Sequence, residues 1–360
     1  MIKNPFSNRG LQFFGRAEEL KKMNDALVRG QNVVILAPWG VGKTKLFDQY
    51  CEAYKCEKKY EVIRCNLLET EDMTGFTDVL LNALASHTVE NEVSFLKEVL
   101  GRIEPVFSAD AFGNVSFTLQ KASSSSREKA RLDQIASYMV SSDKEYLLYI
   151  DEFQQVTRYP NNNAESVLHS FFSSIPKLVC VFSGSYNRII REMFLTNNRP
   201  FYRSAFSLVL NPIGVKEYSD YVIDQFLKNR ITIAADFVER VYSLMEGSSW
   251  FMQDLFSKVY SKAQRGDCIS WDMIQRVLDT GIDDQDMRFR EMMKGFNRYQ
   301  KQMLIRLAHG TQPHVSPEQS NALSSLIEKE YISVMDGSYF FNDKYMLLWL
   351  RKTYPEASLK

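Results

Sequence analysis

Ala37-Pro38-Trp39-Gly40-Val41-Gly42-Lys43-Thr44 is the stretch whose reading decides the fold. The apolar run Val33-Val34-Ile35-Leu36 precedes it, and Lys45-Leu46-Phe47-Asp48-Gln49-Tyr50, with helical spacing, follows. A strand, a glycine-rich loop and a helix opening on Gly-Lys-Thr form the layout of a phosphate-binding loop. Backbone N–H groups of such a loop turn inward around a phosphate, and the helix N-terminus adds its partial positive charge. On this reading Pro38, Trp39, Gly40, Val41, Gly42, Lys43, Thr44 and Lys45 contact the nucleotide. Lys43 reaches the β- and γ-phosphates of ATP, and Thr44 ligates Mg2+. The first glycine of the usual pattern is replaced by Ala37, a position that serves the turn.

A phosphate cradle only binds; hydrolysis also needs an acid to orient the metal and a base to activate water. Tyr146-Leu147-Leu148-Tyr149-Ile150 ends in Asp151-Glu152, which supplies both at the C-terminal end of a strand. Ligands of parallel α/β sheets lie outside those strand ends. Asp151 is expected to orient Mg2+ and Glu152 to polarise the attacking water. A further apolar run, Leu178-Val179-Cys180-Val181-Phe182, ends in Ser183-Gly184-Ser185. Placed between the loop strand and the Asp-Glu strand, it defines the catalytic-glutamate class of P-loop ATPases and offers Ser185, or else Ser183, as a polar sensor of the γ-phosphate. Arg188, Arg191, Arg199 and Arg203 follow closely; Arg203 is the first choice for a finger that stabilises transferred charge, in cis or on a neighbouring subunit.

Working outward, Ala17-Glu18-Glu19-Leu20 opens an amphipathic helix through about Leu27, and strands are expected at 61–67 and 206–210. Short, uniformly apolar strands alternating with helices imply a parallel sheet covered on both faces. Residues 74–104 read as helical. Residues 105–143 read as an insertion: a hairpin around Gly113-Asn114, a polar loop at Ser123-Ser124-Ser125-Ser126, then a helix from Arg127. From Val215 to about Asp279 the pattern is helical throughout, broken at Gly247-Ser248-Ser249. A tail follows with helices near 299–308 and 319–329 and a hairpin at Asp336-Gly337, the order of a winged helix. The expected domains are a core over 1–213, a helical lid over 214–285 and a winged helix over 286–360.

Lys plus Arg and Asp plus Glu both number 44, so there is no global attraction for nucleic acid. With 24 Phe and 18 Tyr the chain reads as a packed globule, not a disordered one. Five cysteines show neither a disulfide framework nor zinc spacing. No leader-like apolar region opens the chain and no apolar run of about 18 residues occurs. A cytoplasmic protein without membrane contact is therefore expected.

These pieces in this order resemble the archaeal-type ATPase family of the STAND/AAA+ P-loop group. The matching segments are Asn4-Pro5-Phe6, Phe14-Gly15-Arg16-Ala17-Glu18-Glu19-Leu20, the phosphate loop, Asp151-Glu152-Phe153-Gln154, Phe182-Ser183-Gly184-Ser185, Pro200-Phe201-Tyr202, and Asn342-Asp343 before Leu348-Trp349-Leu350. The resemblance implies an α/β fold: a P-loop ASCE/AAA+ core with a parallel five-stranded sheet of order 5-1-4-3-2, a helical lid and a C-terminal winged helix. It places Phe14, Gly15 and Arg16 near the adenine. Gly247-Ser248-Ser249-Trp250-Phe251 looks like the family's lid motif, with Ser249 where proline is usual. The implied function is an ATP-driven switch that moves lid and winged helix and binds a protein partner or a second copy. The alternative is a DNA-binding ATPase resembling the origin-recognition and initiator proteins. Its recognition helix, Ser320–Lys329, holds one lysine and one glutamate, and its wing, 335–339, an acid and no base. That is poor equipment for neutralising phosphates. A scaffold that barely hydrolyses is a third reading, and the Asp151-Glu152 pair argues against it.

Overall fold

The computed structural model describes residues 4–6, 13–56, 59–85, 106–109, 115–118, 125–160, 163–185, 188–311, 317–335 and 337–355. They form two compact units.

One unit comprises residues 18–36 and 43–209. Its sheet strands are β1 (Val33–Ala37), β2 (Glu61–Asn66), β5 (Tyr146–Asp151), β6 (Leu178–Ser185) and β7 (Phe206–Val209), in the order β2-β5-β6-β1-β7. Numbered within the sheet alone this is 2-3-4-1-5, the expected order read from the other edge. The pairs are parallel: Ile150 faces Cys65 and Phe182, and Leu36 faces Val209. All five residues of β1 are buried, as the central strand of a sheet covered on both faces demands. The strand β6 lies between β1 and β5. Helices α1 (Ala17–Val28), α2 (Lys43–Ala53), α3 (Met73–Ala85), α4 (Ser125–Ser141), α5 (Ala164–Ser173) and α6 (Arg188–Leu195) complete the unit.

The insertion holds the expected hairpin, β3 (Val106–Ala109) antiparallel to β4 (Val115–Thr118). Its Gly113-Asn114 turn and the expected helical stretch 86–104 lie outside the described residues. One expectation is corrected: Ser125 and Ser126 open α4 and do not belong to a loop. Serine favours helix N-termini, so a polar serine run can lead straight into a helix.

The other unit comprises residues 1–17, 37–42 and 210–360. Helices α7 (Val215–Leu227), α8 (Ala235–Leu244), α9 (Ser249–Lys262) and α10 (Trp271–Asp283) are joined by a two-stranded parallel pair that the helical reading did not anticipate, β8 (Thr232–Ile233) and β9 (Cys268–Ile269). Two residues per strand are too few to show a period. Next come α11 (Asp286–Lys294), α12 (Arg298–Ala308), α13 (Pro317–Glu328), the antiparallel β10 (Ile332–Met335) and β11 (Ser338–Phe341), and α14 (Lys344–Thr353). One core runs through all of these helices, from Val222, Phe226, Met252, Phe256 and Ile274 to Leu304, Leu326, Leu347 and Leu350.

The N-terminal segment joins that core. Phe6 packs 5.3 Å from Phe226 and 6.0 Å from Phe256, and Asn4 Nδ2 donates to the Ser257 carbonyl at 2.9 Å. Near the other end, Asn342 and Asp343 act as a turn and a cap. Asn342 Nδ2 donates to the Glu330 carbonyl at 2.6 Å, and Asp343 accepts from the Met346 N–H at 3.1 Å, starting α14. Among the described residues no helix is long and apolar enough to cross a membrane.

Candidate active site

The loop after β1 needs glycine where the sequence provides it. Gly40 and Gly42 have φ of +77° and +97°, a region costly for any residue with a Cβ. A Cβ on Gly42 would meet nothing within 4 Å, so the backbone there is open to an approaching group. Lys43 starts α2 and is buried, with 8% of its surface exposed; Thr44 and Lys45 are exposed beside it. Among the loop residues, Val41 is buried and Pro38 half-buried.

At the carboxyl edge of the sheet, Thr44 Oγ1 donates to Asp151 Oδ2 at 3.3 Å. The hydroxyl of Tyr149 lies 3.5 Å from Thr44 Oγ1 as a donor. Tyr149 and Asp151 are two residues apart on β5 and therefore share a face. The Tyr149 ring stacks on Phe47 of α2, with centroids 4.4 Å apart. Burial, helped by the Asp151 charge, pushes the Tyr149 phenol well above its ordinary range, so it stays a neutral donor. Hydroxyl and carboxylate oxygens side by side are the hard donors that suit Mg2+, so this pair fits the expected cation.

Glu152 follows in a left-handed conformation, φ 53° and ψ 43°, and begins a 3-10 turn over Phe153–Arg158. Its N–H donates to Asp151 Oδ1 at 3.1 Å. Phe153 anchors the turn in a cluster of rings, 4.6 Å from Phe182 and 5.1 Å from Phe201. Gln154 Nε2 donates to Glu152 Oε2. On β6, Ser183 is fully buried just past Phe182, the partner of Ile150. Ser185 ends the strand, and its side chain lies outside the described residues. So the structure gathers Thr44, Asp151, Glu152 and Ser183 at one edge.

Other expected residues have different neighbours. Arg203 is exposed with φ 55°, its N–H donating to the Phe194 carbonyl at 3.1 Å and its guanidinium 5.1 Å from the Tyr202 ring. Arg199 pairs with Glu165 at 2.6 Å. Phe14, Gly15 and Arg16 pack within the other unit. Phe14 stacks on Tyr221 at 3.7 Å, and a Cβ on Gly15 would stand 3.0 Å from Ile213. Arg16 is buried and its charge acts on Tyr242, whose hydroxyl donates to the Ile213 carbonyl at 2.7 Å.

Sequence reasoning gave no role to Tyr149 or Gln154. Tyr149 showed only as a polar-tipped ring in an apolar strand, on the face of Asp151, and Gln154 only as the last residue of the matching segment Asp151-Glu152-Phe153-Gln154.

The profile of an ATPase domain found predominantly in Archaea matches residues 13–199, just over half of the chain. No curated protein sequence matches. Among solved structures, the Walker-type ATPase PABY2304 of Pyrococcus abyssi superposes with a TM-score of 0.62 at 15% identity, covering 98% of this chain and 99% of that one. The ORC2 protein of Aeropyrum pernix, solved in ADPNP–ADP complexes, gives 0.59 at 11% identity, covering 98% and 97%. At such identities the likeness establishes the fold, while the profile match establishes kinship. The chain therefore belongs to the family of P-loop ATPase domains found predominantly in Archaea.

Proposed function

We propose that this ATPase is a Mg2+-dependent switch in which bound ATP reorganises the lid helices and the winged-helix tail, so that hydrolysis resets a contact with a protein partner or a second copy. The observation that carries the reading lies at the tip of the phosphate loop. The Trp250 N–H of α9 donates to the Gly40 carbonyl at 3.0 Å, and Trp39 packs 5.1 Å from Trp250 and 5.6 Å from Phe251. A Cβ on Gly40 would stand 3.1 Å from Ser248 Oγ. A loop held this tightly by the start of α9 cannot close around a phosphate without α9 responding.

In this reading Pro38 to Lys45 hold the triphosphate, Lys43 neutralises its charge, and Thr44 and Asp151 hold the metal. Glu152 takes the proton of the attacking water. Ser185 or Ser183 senses the γ-phosphate, Arg203 supplies the finger, and Phe14, Gly15 and Arg16 border the adenine. The core, lid and winged-helix ranges remain 1–213, 214–285 and 286–360. A DNA-binding role draws support from the fold shared with the ORC2 protein. The described surface of α13 weighs against it: its exposed residues are Glu318, Ser320, Asn321, Ser324 and Glu328.

The test is a pair of variants. Lys43→Ala should lose ATP binding at concentrations that saturate the wild type; unchanged affinity would sink the loop assignment. Glu152→Gln should keep ATP bound while turnover falls roughly 100-fold; normal turnover would mean that another group activates water.

A further inference from the structure

Gln154 is buried to 1% exposure within the turn that presents Glu152. Its amide nitrogen donates to Glu152 Oε2, while its Oε1 is buried without a hydrogen-bond partner among the described residues. The turn that carries it is fixed at both ends. Phe153 sits in the ring cluster, and Thr157 Oγ1 donates to the Gln154 carbonyl at 2.9 Å. Across from it, β6 leaves room by having no side chain: a Cβ on Gly184 would stand 2.3 Å from Gln154 Oε1. An ordinary strand residue at 184 would expel the amide.

Each of these features is costly unless the side chain has a task. A buried carbonyl without a donor gives up the hydrogen bonds that water offers it in the unfolded chain. A glycine inside a strand loses more conformational entropy on folding than alanine. Glutamate, with three rotatable bonds, samples many positions unless something holds its carboxylate, and about 1 Å of misplacement can cost roughly 100-fold in rate. A neutral amide is suited to the holding. It donates to an ionised carboxylate without neutralising it, so the base remains able to accept a proton.

We infer that Gln154 is the positioning residue of the base, holding the Glu152 carboxylate through its amide, in a recess that Gly184 keeps open on β6. The orphaned Oε1 faces that strand and is the point at which a change in β6 would be felt by Glu152. The inference rests on Glu152 being the base, and it extends the site from the Asp-Glu pair to a coupling between β5 and β6.

The experiment is a double-variant cycle that reads ATP affinity and turnover, with folding of each protein checked by thermal melting. Gln154→Ala removes the donor that holds the carboxylate, and Gly184→Ala keeps the glutamine but displaces it. Both should retain ATP affinity while kcat falls about 10- to 100-fold. In the Glu152→Gln background no carboxylate remains to be held, so Gln154→Ala should lower kcat no further. A wild-type kcat in folded Gln154→Ala would overturn the inference. So would a loss in the Glu152→Gln background as large as that in the wild type. Full turnover in Glu152→Gln alone would instead fault the hydrolysis reading, because another group would then activate water.

Discussion

Lys344 shows what one buried charge does in this chain. It is 5% exposed at the start of α14, and its ammonium donates to Glu246 and to the Phe341 carbonyl, the latter at 2.7 Å. Burial outweighs the attraction of Glu246 and holds the ammonium below the usual lysine range. Glu246 is itself in a left-handed turn, φ 49°, immediately before Gly247 and the start of α9. Removing one partner of such a pair leaves the other buried and uncompensated, so Glu246→Ala should cost about 3 kcal/mol at pH 7. The sign of the pH effect follows from the depressed value. Between it and about 10.4 the unfolded chain binds the proton more tightly, so this lysine adds stability as pH rises. The neutral amine needs no partner, so the deficit of Glu246→Ala should shrink toward pH 10. Denaturant titrations of both proteins at the two pH values check this; a deficit constant with pH would mean that packing, not charge, sets the cost.

Elements that decide the fold were readable where apolar residues run unbroken: Val33–Leu36, Tyr146–Ile150 and Leu178–Phe182 announce buried parallel strands, and Gly40, Gly42 and Lys43 fix the loop between a strand and a helix. Thr44 and Asp151 were legible as metal-site candidates from their motifs, and the fold brings them together across β6. Less was readable where one or two residues carry the structure. Thr232-Ile233 and Cys268-Ile269 are too short for a period, and Gln154 is a polar residue whose meaning depends on the empty space over Gly184, thirty residues further along the chain. At this scale α13 makes its own prediction. Its exposed face carries Glu318 and Glu328 and, among the described residues, no base; Lys329 lies just past its end. Each neutralised phosphate contributes about −0.9 to the slope of log K against log salt. Duplex DNA should therefore bind weakly, with a slope shallower than about −2 by fluorescence anisotropy between low and moderate salt. Tight binding with a steep slope would favour the initiator-like reading.

Within the unit that carries the loop tip, contacts run without a gap from nucleotide loop to tail. Trp39 packs on Phe251 of α9, and Phe251 packs 5.6 Å from Tyr345 of α14. The Tyr345 hydroxyl donates to Asp254, one turn along α9, at 2.7 Å, and a Cβ on Gly281 would stand 3.0 Å from its ring. Asn4 and Phe6 hold the same helix from its other end, through Ser257 and Phe256. A helix gripped at its start by the loop, at its middle by α14 and further on by the N-terminal segment has few ways to respond singly. Packed interfaces of this kind tend to shift between discrete arrangements instead of deforming smoothly. The switch reading therefore predicts that ATP, added to the Glu152→Gln protein, changes amide hydrogen exchange in α14 as well as in the loop. Trp39→Ala should keep ATP affinity within a few-fold, because the phosphate contacts are backbone and Lys43, yet lose the change in α14. Exchange in α14 that ignores ATP in the parent protein would leave the tail outside the nucleotide cycle. A change that survives Trp39→Ala undiminished would place the coupling in the Gly40–Trp250 hydrogen bond, which the substitution leaves intact.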